Sequence, residues 1–306
     1  MKVLVTGGAG FIGSHIVEHL LKISAKVVVL DNFSGGSLEN IPAGVPHVEM
    51  DIRDPQLIEW MKGESFDYVI HQAAQTSVPY SLEHPMEDCQ INILGLVNLM
   101  EGARLSGVKR VLFASTAAIY GDTEIFPIKE DAPKNPLSFY GLSKWTEEQY
   151  LALYQQTFGI EYVILRYANV YGERQGTKGE GGVIDIFSRK ILKNEALSVY
   201  GDGEQTRDFI YAGDVAAANI KALLTSYPNR AYNISNTSEC TLNELISVFG
   251  SLEKQDLAVN YLPPRTGDIL RSVLDSSDAQ QLLNWKPEVK LAEGLNALLT
   301  YIRTHD

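Results

Sequence analysis

The chain has 306 residues, of which 45 % are hydrophobic and 21 % are charged, and its formal net charge is −12. This length and composition predict a globular protein with one large domain and a smaller lobe. The negative charge argues against general binding to nucleic acid or to an anionic membrane, and the sequence contains no apolar run long enough to span a bilayer.

The first predicted elements are a strand, a glycine-rich turn and a helix. We therefore expect the N-terminal residues to form a strand of the fold rather than a signal peptide. Residues 2–6 are apolar and β-branched, Gly7, Gly10 and Gly13 follow, and an apolar helical pattern begins at Ile12. Such a turn directs backbone N–H groups and the positive end of a helix at one point, where a pyrophosphate can bind. Glycines are needed because the turn is tight and the phosphate must approach the backbone. The stretch predicts a dinucleotide site.

The next strands indicate which dinucleotide binds. The second strand, at 26–30, ends at Asp31, at the distance expected for a carboxylate that binds the adenosine ribose. Asp31 would repel a 2′-phosphate, and residues 32–37 contain no arginine to receive one, so NAD is favoured over NADP. Asp51 follows the third strand, at 46–50, and is either an adenine contact or a simple turn former.

Strands and helices continue to alternate through the first half. The predicted strands lie at 2–6, 26–30, 46–50, 67–71, 109–114 and 160–166, and the helices near 12–22, 54–62, 87–106 and 139–158. This alternation predicts an α/β fold with a doubly wound parallel sheet. Ligands of such sheets gather at the carboxyl ends of the strands, so we expect the chemistry there.

The pattern changes after Arg166. Residues 174–182 form a charged, glycine-rich stretch without periodicity, which indicates a loop or a substrate lid. We therefore expect an NAD-binding domain at 1–169 and a smaller C-terminal α/β lobe at 170–306 that holds the substrate. A helix near 214–225 is expected to pack back on the large sheet.

The remaining patterns concern partners and location. Cys89 and Cys240 show no paired spacing, which is typical of reduced thiols in a cytoplasmic protein. The histidines show no ligand pattern, so no metal site is expected. The long helices at 87–106 and 139–158 are candidates for a homodimer face.

Tyr140 and Lys144 are the candidate catalytic pair. Their i, i+4 spacing places both side chains on one face of a helix. A nearby ammonium favours the phenolate, which is needed because an unperturbed phenol titrates near pH ~10. The pair alone would indicate only a solvated helix face. However, it follows a strand that ends at Ser115 and Thr116, where a hydroxyl can hydrogen-bond a reacting substrate oxygen.

These motifs resemble those of the extended short-chain dehydrogenase/reductase family. The matching stretches are 6–13, 115–121 and Tyr140-x-x-x-Lys144, and the similarity continues through 31–36, 165–172, 207–210 and 265–268. The nucleotide-sugar 4-epimerases of the UDP-galactose (UDP-glucose) 4-epimerase type are the most similar group. The resemblance covers nearly the whole chain and implies a Rossmann-type NAD-binding domain.

The resemblance also implies a role for each catalytic residue. Tyr140 would take the proton from the sugar 4-hydroxyl while C4 gives a hydride to NAD. Lys144 would bind the nicotinamide ribose and lower the pKa of Tyr140, and Thr116 would hydrogen-bond the same sugar oxygen.

The implied ligand-binding positions fall into two sets. Besides Tyr140 and Lys144, the positions implied to contact NAD are Gly7, Gly10, Phe11, Ile12, Gly13, Asp31, Asn32, Phe33, Ser34, Gly35, Gly36, Asp51, Ile52, Ala73, Ala74, Gln75, Asn92, Ser115 and Tyr167. Besides Thr116 and Tyr140, those implied to hold the nucleotide-diphosphate sugar are Ser77, Asn169, Gly182, Val183, Val199, Tyr200, Arg207, Arg265, Asp268 and Ser272.

The residues after Thr116 indicate the reaction. Similar dehydratases place Asp-Glu there and related decarboxylases keep a Glu, whereas this chain has Ala117 and Ala118, which transfer no proton. We therefore expect 4-epimerisation of a nucleotide-diphosphate sugar, UDP-glucose and UDP-galactose being the expected pair, while the sequence does not distinguish UDP from dTDP sugars. Ser272 stands where a bulky Tyr narrows the sugar pocket of such epimerases, so N-acetylated sugars are expected to fit. A dehydratase, decarboxylase or reductase, or a catalytically silent NAD-binding regulatory protein, stays open as an alternative.

Overall fold

The computed structural model describes residues 1–176, 181–264 and 269–305. The strands are β1 (Lys2–Thr6), β2 (Lys26–Asp31), β3 (His47–Glu49), β4 (Tyr68–His71), β5 (Arg110–Thr116), β6 (Glu161–Tyr167), β7 (Asn169–Tyr171), β8 (Leu197–Tyr200), β9 (Thr206–Arg207), β10 (Phe209–Tyr211), β11 (Arg230–Ile234), β12 (Cys240–Thr241) and β13 (Val259–Leu262). The helices are α1 (Phe11–Lys22), α2 (Gln56–Glu64), α3 (Val78–Glu83), α4 (Pro85–Cys89), α5 (Gly95–Ser106), α6 (Phe139–Phe158), α7 (Val183–Leu192), α8 (Ala212–Leu223), α9 (Leu242–Glu253), α10 (Ser277–Leu282) and α11 (Leu291–His305).

Seven strands form one parallel sheet in the order β11-β6-β5-β4-β1-β2-β3. The chain winds outward from β1 in both directions, so β1 and β4 flank the point where the strand order reverses. This confirms the predicted doubly wound sheet and its first six strands. The seventh strand, β11, was not predicted, because it lies in the half of the chain where the alternation is lost.

Two hydrophobic layers cover the sheet. Val3 and Val5 face one side of β1 and pack with α1 and α8, while Leu4 faces the other side and packs with α2 and α5. Side chains alternate across a strand, and burial on both faces explains why β1 is continuously apolar. Helix α8 shares its core with α1, although it comes from the second half of the chain.

The C-terminal segments build a third core beside the carboxyl ends of the strands. Three short strand pairs, β7 with β10, β8 with β13 and β9 with β12, frame it. Helices α7, α9 and α11 contribute Phe187, Phe249 and Leu298, which are nearly fully buried together. Over the described ranges, no helix has the length and apolarity required to cross a membrane.

The helix predicted at 87–106 runs from Pro85 to Ser106 and contains a π-helical segment, Gln90–Leu94, between α4 and α5. The short helix α3, which precedes it, was not predicted. Segments of π-helix are frequent at functional sites, and this one faces the end of β4.

Candidate active site

The glycine turn between β1 and α1 has the shape that a pyrophosphate requires. Gly7 adopts a φ of +67°, and a Cβ on Gly13 would lie 2.1 Å from the carbonyl oxygen of Gly7. Gly10 caps α1 without a side-chain hydrogen bond, and no acidic residue occupies the first turn. The turn is therefore too tight for side chains, and the first N–H groups of α1 receive no side-chain cap, so these residues fit the pyrophosphate of a dinucleotide.

Asp31 holds this turn from the end of β2. One carboxylate oxygen accepts from the backbone N–H of Ala9 and the other from that of Phe33, each at 2.9 Å. The carboxylate therefore braces the turn at the position where the ribose is expected. Further along the same loop, Asn32 accepts hydrogen bonds from the N–H and the hydroxyl of Ser34.

Asp51 has a partner that sequence reasoning missed. Arg53 donates to both of its oxygens at 2.8 Å, and Asn32 donates to it at 2.9 Å. The hydrogen bonds from Arg53 lower the pKa of Asp51 to about 2. Arg53 is a cation close to the loop after β2, but its bidentate pair with Asp51 compensates its charge. The signal in the sequence was an arginine two residues after the acid.

A buried network fixes the loop that follows β4. The backbone N–H of Gln75 donates to the side chain of Asn92 at 2.9 Å, and Asn92 returns a hydrogen bond to the carbonyl of Gln75 at 3.1 Å. The Gln75 side chain and Ser143 both donate to Asp88, which is fully buried. Asp88 was not identified from the sequence, because its role depends on three elements meeting.

Helix α6 begins against the turn that follows β5. Ser138 caps it by accepting from the N–H of Gly141 at 3.1 Å. A Cβ on Gly141 would lie 2.7 Å from the carbonyl oxygen of Ala118, so glycine permits this close approach. The contact brings Tyr140 to Thr116, and the two side chains are hydrogen-bonded.

The pKa of Tyr140 differs from the sequence-based expectation. Burial raises it to about 12, the hydrogen bond with Thr116 lowers it, and the negative charges of Glu147 and Asp88 raise it further. The expected lowering by Lys144 is not found. The physical reason is that desolvation disfavours the phenolate and that the two nearby carboxylates repel its negative charge.

Lys144 lies deep in the site. Its ammonium is 3.3 Å from the carboxylate of Glu147 and 4.5 Å from the centre of the Phe113 ring. His71, at the end of β4, is hydrogen-bonded to Thr6 at 2.6 Å. Burial lowers the pKa of His71 to about 3, and the charge of Lys144 lowers it as well, so the imidazole is neutral. The ends of β1, β4 and β5 thus converge on α6.

Two predicted cofactor ligands have hydroxyl groups engaged inside the protein. Ser115 donates to Glu148 at 2.6 Å. The hydroxyl of Tyr167 accepts from Gln72 at 3.1 Å and from Asn219 at 2.9 Å. These bonds hold β5 and β6 to their neighbours, and any contact with NAD must coexist with them.

The predicted substrate residues lie on several separate elements. Val199 is buried in the third core, so only its backbone can face a ligand. Gly182 caps α7, Val183 is its first residue, and Ser77 caps α3. Side chains that are exposed or half-buried belong to Asn169, Tyr200, Arg207 and Ser272. Arg265 and Asp268 lie outside the described residues.

Comparisons with known proteins identify relatives over the whole chain. The sequence profile of the NAD dependent epimerase/dehydratase family matches residues 3–235. A protein of Methanocaldococcus jannaschii, provisionally assigned as a UDP-glucose 4-epimerase, is 45 % identical over 99 % of both chains. UDP-glucuronic acid decarboxylase 1 of Danio rerio is 32 % identical over 98 % of this chain and 72 % of its own length.

Solved structures are similar as well. UDP-glucose 4-epimerase of Thermotoga maritima with UDP-glucose shares 40 % identity, with a TM-score of 0.96 over 99 % of both chains. UDP-glucose 4-epimerase of Thermus thermophilus with NAD shares 40 % identity, with a TM-score of 0.93 over 100 % of both. UDP-N-acetylglucosamine 4-epimerase of Methanobrevibacter ruminantium, in complex with UDP-N-acetylmuramic acid, shares 36 % identity and a TM-score of 0.95, over 100 % of this chain and 99 % of that one.

Proposed function

The chain belongs to the NAD dependent epimerase/dehydratase family, as an NAD-dependent UDP-sugar 4-epimerase, and we propose that it interconverts UDP-glucose and UDP-galactose. The observation that carries this proposal is the hydrogen bond between Tyr140 and Thr116, with Lys144 four residues further along the same helix and Ala117 and Ala118 directly after Thr116. Relatives named UDP-glucose 4-epimerase support it.

The protein's own groups handle the proton on the sugar. In its phenolate form Tyr140, hydrogen-bonded to Thr116, accepts the proton of the sugar 4-hydroxyl, becomes the neutral phenol, and later returns this proton to the 4-keto oxygen. Thr116 orients the same oxygen. Lys144, four residues further along α6, stabilises the phenolate by its positive charge before the proton is taken. The glycine turn at Gly7, Gly10 and Gly13 would hold NAD, which would supply the hydride acceptor for C4 and the hydride donor for the 4-keto sugar.

Ala117 and Ala118 limit what the site can do next. They form a short 3₁₀ turn directly after Thr116, and neither can remove the C5 proton or protonate a leaving hydroxyl. Elimination is therefore disfavoured, and the 4-keto sugar is returned as the epimer. A decarboxylase is the second candidate, because the relatives include UDP-glucuronic acid decarboxylases.

The proposal is tested with purified protein and separate UDP-glucose, UDP-galactose, UDP-glucuronic acid and N-acetylated UDP-sugars. We expect the 4-epimers to interconvert without net consumption of NAD. A released 4-keto or pentose product from any of them, without epimer formation, would overturn the epimerase assignment.

We also propose that N-acetylated UDP-sugars are accepted, because Ser272 is small and half-buried at the position that a tyrosine fills in narrower pockets. Ser272→Tyr is expected to raise KM for UDP-N-acetylglucosamine about tenfold or more, while KM for UDP-glucose changes little. Steady-state kinetics with both sugars measure this. Equal effects on both substrates would contradict the assignment of Ser272 to the N-acetyl pocket.

Two further proposals concern organisation. Residues 1–169, together with α8, hold NAD, and most of 170–306 holds the nucleotide diphosphate. Two copies associate through α5 and α6, because Leu142, Tyr150 and Leu153 expose apolar surface on one face of α6.

A further inference from the structure

Glu147 is a buried carboxylic acid in the site to which no role has been assigned. It follows Lys144 by three residues on α6, and its side chain is 0 % exposed. Its contact with the Lys144 ammonium is 3.3 Å long, and among the described residues neither carboxylate oxygen has a partner of good hydrogen-bond geometry. Burial of a charged group with so few partners is costly, so a structural reason alone is weak.

The neighbouring Glu148 shows what a structural carboxylate looks like here. It accepts from Ser115 at 2.6 Å and from Arg166 at 2.7 and 3.0 Å, which satisfies both oxygens. Glu147 lacks such a set and faces the catalytic lysine instead. The two adjacent residues therefore differ in partner and in surroundings.

The charged groups that act on Glu147 lie on two helices, α6 and α4. On its own helix, Lys144 attracts it and Glu148 repels it, and from α4 Asp88 repels it. On β4, neutral His71 faces Lys144.

Other charged groups on the packed elements are engaged elsewhere. Arg166 of β6 is held by Glu148. On α5, Glu101 pairs with Arg104 and with Tyr154, farther along α6. Lys144 is thus the cation that faces Glu147.

We propose that Glu147 is a positioning residue whose carboxyl group anchors the Lys144 ammonium and whose negative charge opposes the phenolate of Tyr140. The proposal rests on the proposed function, in which Tyr140 is the base. An ionised Glu147 makes the phenolate harder to form, and its charge does raise the pKa of Tyr140. Burial raises the pKa of Glu147 itself to about 7, so its charge changes within the working range of a neutral enzyme.

Two substitutions separate the anchor from the charge. Glu147→Gln keeps an oxygen at the same distance from Lys144 but removes the negative charge. Glu147→Ala removes both. Glu59→Gln is the matched control, because it removes one carboxylate from an exposed site on α2 whose partner is Lys62.

The deciding measurement is a titration of Tyr140 in the full-length, NAD-loaded protein. Phenolate absorbance is recorded against pH for each protein, and the signal of its Tyr140→Phe counterpart is subtracted. We expect the Tyr140 midpoint of Glu147→Gln to lie about one pH unit below that of the unsubstituted protein and of Glu59→Gln. An unchanged midpoint in Glu147→Gln would overturn the proposal.

Turnover gives the second readout. In Glu147→Gln the acid limb of the pH profile of kcat should shift to lower pH together with the phenolate midpoint. The plateau value of kcat should stay within about threefold of that of the unsubstituted protein. Glu147→Ala should lose about tenfold in kcat, because Lys144 loses its anchor, and the glutamine variant should restore it. Equal losses in both variants would count against the anchor. If no UDP-sugar turns over, the proposed function fails, but the titration still decides the role of Glu147.

Discussion

At the residue scale, the site depends on how burial acts on single titratable groups. The same desolvation raises the pKa of Tyr140 and of Glu147 and lowers that of His71, because it always opposes the charged form. Residue type and spacing identify Tyr140 and Lys144 in the sequence. The environment that sets the protonation of Tyr140 includes residues distant in the chain, such as Asp88.

Tyr140→Phe tests the base directly. Without the hydroxyl, no group is in place to take the proton of the sugar, and kcat should fall about 10³-fold while NAD stays bound. Epimer formation and the content of bound NAD are measured on the same sample. Tyr150→Phe, on an exposed position of α6, should keep full activity, and full activity in Tyr140→Phe would show that another group is the base.

His71 predicts how stability depends on pH. Its pKa in the fold is about 3, below the value of 6.5 for a solvated histidine. Between these values the unfolded chain binds a proton that the folded protein excludes, so His71 makes the free energy of unfolding fall as the pH drops from about 6.5 towards 3. The slope it contributes is at most about 1.4 kcal/mol per pH unit.

His71→Gln should remove that slope. Urea unfolding at about pH 4.5 and pH 6.5 gives the free-energy difference for each protein. His84→Gln, at an exposed position, should keep the slope of the unsubstituted protein. A slope in His71→Gln equal to that of the unsubstituted protein would contradict the assignment to His71.

At the scale of elements, one buried ion pair joins α6 to the sheet. Glu148 of α6 accepts from Ser115 of β5 and from Arg166 of β6. The network continues from Arg166 to Tyr120, whose hydroxyl also donates to Asn233 of β11 at 2.7 Å. These bonds fix α6 relative to Thr116, on which the placement of Tyr140 depends.

Glu148→Ala should therefore be strongly destabilising. It leaves the Arg166 guanidinium buried without its counter-charge, which typically costs about 3–5 kcal/mol of unfolding free energy. Glu59→Ala breaks an exposed pair and should cost about 1 kcal/mol or less. Urea denaturation of both variants measures the contrast, and a loss in Glu148→Ala as small as the control's would show that the pair does not anchor α6.

At the scale of the whole molecule, the exposed apolar surface of α6 favours association with a second copy of the chain. Leu153 is 58 % exposed there, and Leu142 and Tyr150 lie on the same face. Leu153→Glu should convert the proposed dimer to a monomer, because a charge would be buried at the centre of the interface.

Light scattering after size-exclusion chromatography measures the mass in solution. Leu224→Glu is the control, since Leu224 is equally exposed, at 58 %, but follows α8. An unsubstituted protein that elutes as a monomer would rule out the dimer, and an unchanged dimer in Leu153→Glu would place its interface elsewhere.

The sequence by itself determined the first six strands, the glycine turn and the pair Tyr140 and Lys144. These features are local, since strand burial, turn geometry and helical spacing are each written in a few consecutive residues. The absence of an acid–base pair at Ala117 and Ala118 could also be recognised from the sequence. The cofactor followed from the glycine turn and Asp31, and the reaction class followed from the resemblance to the nucleotide-sugar 4-epimerases.

The tertiary structure alone decided which distant groups surround them. Strand β11 joins the sheet only after a long excursion of the chain, and Asp88, Arg53 and Glu147 acquire their partners through packing. The direction of the pKa shift of Tyr140 likewise could not be predicted from the sequence. Desolvation and Coulomb interactions depend on distances through space, which no spacing along the chain specifies.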